Sequence, residues 1–222
     1  TEYTTFVQKG LQSARPAVVK QAIETAGMEP VLIPELLTLL RDRSYGRATL
    51  RNLRRAASEN LSAFTPLLDA PAEQRRMLAQ LLSTLQTPES ERWLLRLAGE
   101  SNRMVRETAL HSLRHFPSST DNRLFFETLL AEELSLAERL QAGQYAAMDA
   151  EWQSALGYEM ERVLKRILRI LSKLYDAEAL NQIHQSLQHP SQERSANALE
   201  MLDNLIPRPL YQGLQTLLDV VP

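Results

Sequence analysis

A two-helix unit returns along this chain at a spacing near 30 residues. That period constrains the fold more than any other feature. Its clearest copy is Met104-Val105-Arg106-Glu107-Thr108-Ala109-Leu110-His111-Ser112-Leu113. Val105, Ala109 and Leu113 recur every four residues and share one helical face. Segments 18–26 and 195–202 repeat the rhythm. In the second helix of successive pairs, equivalent positions fall at Ala22, Thr49, Leu78, Ala109 and Leu140, spaced 27, 29, 31 and 31 residues apart. One helix pair cannot bury its apolar stripe alone, so such units stack on their neighbours.

The residue types agree with helices. Leu, Ala, Glu, Gln and Arg abound, only 7 of 222 residues are Gly, and no segment alternates as a strand would. With no Cys, disulfides, thiolate metal sites and cysteine nucleophiles are excluded. No apolar run approaches the roughly 20 residues that cross a bilayer, and the Thr1-Glu2-Tyr3 start has no signal-peptide character. A start without Met suggests a domain cut from something larger.

Helix pairs are expected at 6–11 with 16–26, 31–40 with 45–57, 61–68 with 71–85, 89–97 with 102–116, and 122–130 with 135–148. Pro16, Pro71 and Pro88 suit first turns, where a missing N–H costs nothing. Thr87 is an expected N-cap, and Ser135-Leu-Ala-Glu138 reads as a capping box. A single long helix then covers 149–175, with Leu156, Met160, Val163, Leu164, Ile167, Leu168, Leu171 and Leu174 on one side. Asp176 and Ser191 are N-cap candidates for a further pair at 176–187 and 191–205. A last helix at 210–220 follows Pro207 and Pro209. No low-complexity linker divides the chain, so a single domain over 1–222 is expected. It is an all-α, α-α superhelix of about six to seven helix pairs.

Charge is uneven. Residues 41–114 hold 13 Arg against 8 acids, and residues 115–222 hold 9 basic against 15 acidic residues. Arg outnumbers Lys 21 to 4, which suits ordered ion pairs and bidentate contacts. Arg47, Arg51 and Arg54 share a face of one second helix, with Arg55 beside them. Arg75 and Arg76 begin the next second helix, and Arg106 the one after. Together these could form a basic groove for an acidic partner, a phosphate-bearing ligand or nucleic acid. The ordinary alternative is a solvated, ion-paired face. Arg162, Lys165, Arg166, Arg169 and Lys173 crowd the side of the long helix opposite its apolar stripe. They could face an anionic membrane or a partner, or pair with Glu159, Glu161 and neighbouring acids.

The units resemble HEAT repeats, whose second helix carries a Val-Arg-x-x-Ala-Leu-x-x-Leu-like core. Val105-Arg106, Ala109-Leu110 and Leu113 match it. Val18, Ala22, Ile23 and Ala26 match the apolar positions, with Val19 in place of the Arg. Tyr45, Thr49, Leu50 and Leu53 match loosely. Near the end, Arg194-Ser195-Ala196-Asn197-Ala198-Leu199-Glu200-Met201-Leu202-Asp203-Asn204 is similar to HEAT segments attached to bacterial membrane proteins of the ATP/ADP-translocase and major-facilitator type. The resemblance implies a cytoplasmic soluble module tethered to the inner membrane. It implies no transport and no nucleotide binding here, because the membrane part and the glycine-and-arginine phosphate cassette are both missing from these residues. The partner would be a protein or another domain of the same polypeptide. Some HEAT-like proteins of similar length are DNA glycosylases, but the acidic C-terminal half and a pI near 6.1 argue against nucleic acid. A peripheral membrane adaptor is the other alternative.

No catalytic motif, cofactor site or metal site is expected. His111 and His115 stand four apart, yet the His-Glu-x-x-His pattern is not met and no acidic third ligand is evident. His184 and His189 are expected at a helix end. Asp203 and Asn204 read as a structural pair that pins the turn before Pro207, with Arg208 as a partner. Trp93 and Trp152 are expected to be packing anchors.

Overall fold

The computed structural model describes residues 2–26, 29–146, 149–187 and 191–218. All regular structure among them is helical. The chain packs as two compact units, Thr1–Phe116 and Pro117–Pro222.

The first unit holds α1 (Glu2–Leu11), α2 (Pro16–Thr25), α3 (Ile33–Leu39), α4 (Gly46–Glu59), α5 (Ala72–Leu82), α6 (Pro88–Ala98) and α7 (Arg103–Leu113). Each first helix packs beside the second that follows it, and the second helices contact one another in series, α2 to α4 to α5 to α7. The repeat positions Ala22, Thr49, Leu78 and Ala109 are all buried there. One first helix is replaced: Leu61–Asp69 is a 3₁₀ coil rather than the α-helix expected at 61–68. Pro66 lies inside it and has no N–H to give to an α-helical ladder. Leu61, Phe64, Leu67 and Leu68 still reach the core from this tighter coil.

Helix starts follow their local chemistry. Pro16 and Pro88 occupy the first turns of α2 and α6. The Thr87 hydroxyl accepts from the Ser90 amide, and the Ser90 hydroxyl lies 2.9 Å from the Thr87 amide that donates to it, a closed capping box. Asn102 caps α7 by accepting from the Met104 and Val105 amides. At the entry to α4, Asp42 accepts from the Ser44 and Tyr45 amides. Gly46 then passes so close to the backbone that a Cβ would lie 2.6 Å from the Leu40 carbonyl oxygen. Only glycine fits there, because a backbone carbonyl cannot swing aside as a side-chain tip can.

The second unit holds α8 (Arg123–Ala146), α9 (Ala150–Leu174), α10 (Ala177–Leu187), α11 (Gln192–Leu205) and α12 (Arg208–Leu218). The pair expected at 122–130 and 135–148 is one continuous helix of 24 residues. Ser135 does not interrupt it: it sits exposed within the helix, and its flanks are strong helix formers without Gly or Pro. Its carbonyl accepts from Arg139 Nε at 3.3 Å. The expected long helix is α9, capped by Asp149 accepting from the Glu151 amide at 2.7 Å. Asp176 accepts from the Glu178 and Ala179 amides at the start of α10. His189, Met148 and the end of the last expected helix lie outside the described residues.

Two repeat registers turn by one position. In α2, Val19 is buried and Val18 exposed, the reverse of the repeat alignment. Val19 stands three residues before Ala22 and four before Ile23, so it joins their face as well as Val18 could. In α4 the buried set is Thr49, Asn52, Leu53, Ala56 and Ala57, and Leu50 turns outward.

Candidate functional site

α4 carries the most distinctive surface. Its buried set occupies one side and leaves Arg47, Arg51, Arg54 and Arg55 exposed on the other. At 1.5 Å rise per residue these guanidinium groups span about 12 Å of helix. None of the four makes an ion pair or a side-chain hydrogen bond among the described residues. The sole acid on α4 is Glu59, at its C-terminal end. Like charges at i and i+4 repel, so the stripe costs some stability while nothing anionic covers it. Leu50, 37 % exposed, lies within the same stripe.

The other three arginines of the expected groove serve the interior of their own unit. Arg75 pairs with Glu100 at 3.0 Å, both about one-fifth exposed. Arg76 meets Glu73 at 3.2 Å and donates to the Thr108 hydroxyl at 3.4 Å. Glu73 is shared with Arg41. Arg106 donates from Nε to the Glu100 carbonyl at 3.1 Å. These contacts tie α5 to α7 and to the loop between α6 and α7. Burial pushes the Glu100 carboxyl above its ordinary pKa, with Arg75 and then Arg96 pulling it back and Asp69 adding to the rise. Bidentate-capable Arg, half desolvated against carboxylates, braces helices here. The expected basic groove therefore reduces to the α4 stripe.

The basic side of the long helix is redistributed as well. Arg166 was the central member of the expected lipid- or partner-facing set, and it is fully buried. Its Nε lies 2.9 Å from the equally buried Glu133 of α8, and a second nitrogen lies 3.7 Å from Glu159. Arg166 therefore cannot face a lipid or an external partner. Its position borders the stripe of Val163, Ile167 and Ile170, and the continuous α8 brings Glu133 against that border. Arg162 pairs with Glu159 at 3.4 Å and stands 6.0 Å from the Tyr158 ring centroid. Lys165 pairs with Glu161 at 3.7 Å. Arg169 and Lys173 are partly buried.

Other singled-out residues resolve simply. His111 is exposed on α7, while His115 lies beyond its end and accepts from Arg114 Nε at 3.2 Å. Among the described residues no three His, Asp or Glu side chains converge as a metal site, and no helix is long and apolar enough to cross a membrane. His184 lies in the last turn of α10, at a helix end as expected; burial holds its pKa below 6.5, and Arg169 and Lys165 lower it further. Asn204 donates to the Glu200 carbonyl at 3.0 Å within α11. Asp203 is exposed and has no ion pair to Arg208, so the pinned turn is not formed that way. Trp93 is partly buried, but Trp152 is 66 % exposed and anchors no core. The repeat pattern hid this, because Trp152 is in helical phase with Val163 and Ile170 but lies beyond the helices that cover them.

No protein-family model matches the sequence, and no curated protein matches it significantly.

Proposed function

We propose that this chain is a non-enzymatic interaction module built from HEAT-like helix pairs, and that it acts by presenting α4 to an acidic protein segment. The observation that carries this reading is the uncompensated stripe of Arg47, Arg51, Arg54 and Arg55. Neighbouring arginines on α5 and α7 have carboxylate, hydroxyl or carbonyl partners within the unit; those on α4 are left for something outside it. A carboxylate-bearing partner would relieve their mutual repulsion and form charge-assisted bonds. Leu50 within the stripe favours a partner that combines acidic with apolar side chains, which a phosphate backbone does not. The serial packing of α2, α4, α5 and α7 supports an α-α superhelix as the frame. The Arg194–Asn204 resemblance supports a place as the cytoplasmic domain of a translocase-like membrane protein, tethered to the inner membrane.

The test is a titration with an acidic peptide carrying Glu and Leu, repeated over a range of salt. Binding should weaken as salt rises and fall at least about tenfold in Arg51→Glu with Arg54→Glu, with helicity retained. Equal binding by that variant would overturn the α4 reading. Tighter binding to duplex DNA, with a steep salt slope, would replace it with a nucleic-acid reading. The tether is tested separately by the whole reading frame: transmembrane helices encoded before Thr1 would support it, and a natural start and stop at these ends would remove it.

A further inference from the structure

The second unit mixes helices of very different lengths. α8 and α9 have 24 and 25 residues, whereas α10, α11 and α12 have 11, 14 and 11. At 1.5 Å per residue, the first two are about 36 Å long and the others about 16–21 Å. The shorter helices cannot flank the whole hairpin. Burial marks where their cover ends: the last buried residue of α8 is Ala137, and the first of α9 is Met160. Among the described residues between them none is buried, and 150–155 are all exposed.

Beyond that line the two helices have chiefly each other. Small residues let them approach: a Cβ at Gly143 would stand 3.5 Å from Leu156, and one at Gly157 would stand 3.2 Å from Gln144 Nε2. Trp152 continues the buried stripe of α9, since it stands eleven residues before Val163 and eighteen before Ile170, close to whole numbers of helical turns. The stripe thus runs past the core that covers it. Trp152 and Tyr158 are each 66 % exposed and Tyr145 is 76 % exposed. Exposed Trp and Tyr are the side chains that dominate interface energies. Around them Glu138, Asp149 and Glu151 are exposed. Of the nearby cations, Arg139 is directed back onto the Ser135 carbonyl, and Arg162, beside the Tyr158 ring, is paired with Glu159.

We infer that the free end of the α8–α9 hairpin is a second docking site, and that its occupant is a basic amphipathic helix of a partner protein. The occupant's apolar face would cover Trp152 and Leu156, and its Lys or Arg side chains would meet Glu138, Asp149 and Glu151. The acidic rim repels an anionic membrane surface, which decides between protein and lipid. This site lies in the other unit from α4 and takes a partner of opposite charge, so either can fail without the other.

The chain has two tryptophans, so Trp93→Phe leaves Trp152 as the sole indole reporter in the full chain. That variant is titrated with an 18-residue Leu/Lys amphipathic peptide without aromatics, with the same peptide carrying Glu for Lys, and with phosphatidylglycerol vesicles. The inference expects a saturable blue shift of Trp152 emission with the Leu/Lys peptide alone. Affinity should drop at least about tenfold in Glu138→Lys with Glu151→Lys, which spares the Asp149 cap, and also in Tyr145→Ser. Three outcomes overturn it: no shift with the Leu/Lys peptide, an equal shift with vesicles, or a shift that survives both variants while their helicity matches the parent.

Discussion

Single residues show how far a side chain's type predicts its role. Arg166 reads as a surface cation from the sequence, yet it is the largest fully buried side chain among the described residues. A buried ion pair contributes little net stability, because desolvation of both ions offsets their attraction, but breaking one is costly. Arg166→Met should therefore destabilise the protein by about 3–5 kcal/mol, since Glu133 would be left charged and buried. Arg166→Met combined with Glu133→Leu should recover most of that loss. Denaturant unfolding of the parent, Arg166→Met, Glu133→Leu and the double variant measures it; an additive double variant would show that the pair is not coupled. His184 makes the pH dependence predictable in sign. Its folded pKa lies below the ordinary 6.5, so the unfolded chain takes up the proton first as pH falls. The stability it contributes is present above about pH 6.5 and is lost as pH drops through the depressed folded value. His184→Gln should flatten the change in unfolding midpoint between pH 7.5 and 5, and an unchanged slope would place the titration elsewhere.

Elements were legible where local chemistry governs them and misread where a neighbour does. The caps at Thr87 and Asp176 were readable, because a cap needs only the residues beside it. Ser135-Leu-Ala-Glu138 has the same capping pattern but lies inside α8, where strong helix formers on both sides favour continuation and Glu133 is held by Arg166. One buried amide joins α4 to α2 beside the apolar packing of Leu53, Ala56 and Ala57. Asn52 Nδ2 donates to the Ile23 carbonyl at 2.9 Å. That carbonyl belongs to the last turn of α2, where intrahelical donors run out. Asn52 thus ties α4 to α2 from the side of the helix away from the arginines. Asn52→Leu should leave the carbonyl buried without this donor and cost about 1–3 kcal/mol in thermal or denaturant unfolding. A neutral result would mean that the α2–α4 contact rests on apolar packing alone.

Across the whole molecule, charge follows the division into two units. The α4 stripe lies in Thr1–Phe116, and the acidic excess of the sequence lies wholly in Pro117–Pro222. The sequence by itself determined the helical class, most helix starts, the near-30-residue spacing from Ala22 to Ala109 and the α4 arginine face, because periodicity, caps and charge spacing are local properties of a chain. The tertiary structure decided which arginines are free. Arg75, Arg76 and Arg106 look like Arg51 and Arg54 in sequence and differ only in whether Glu73, Glu100 or Thr108 comes within reach. It also decided that Trp152 stays in solvent. Whether an apolar stripe becomes core depends on the lengths of the helices packed against it, and those lie 20 or more residues away along the chain. Burial and pairing are set by what other segments bring, so the partner-facing residues emerge only once the internal partners have been assigned.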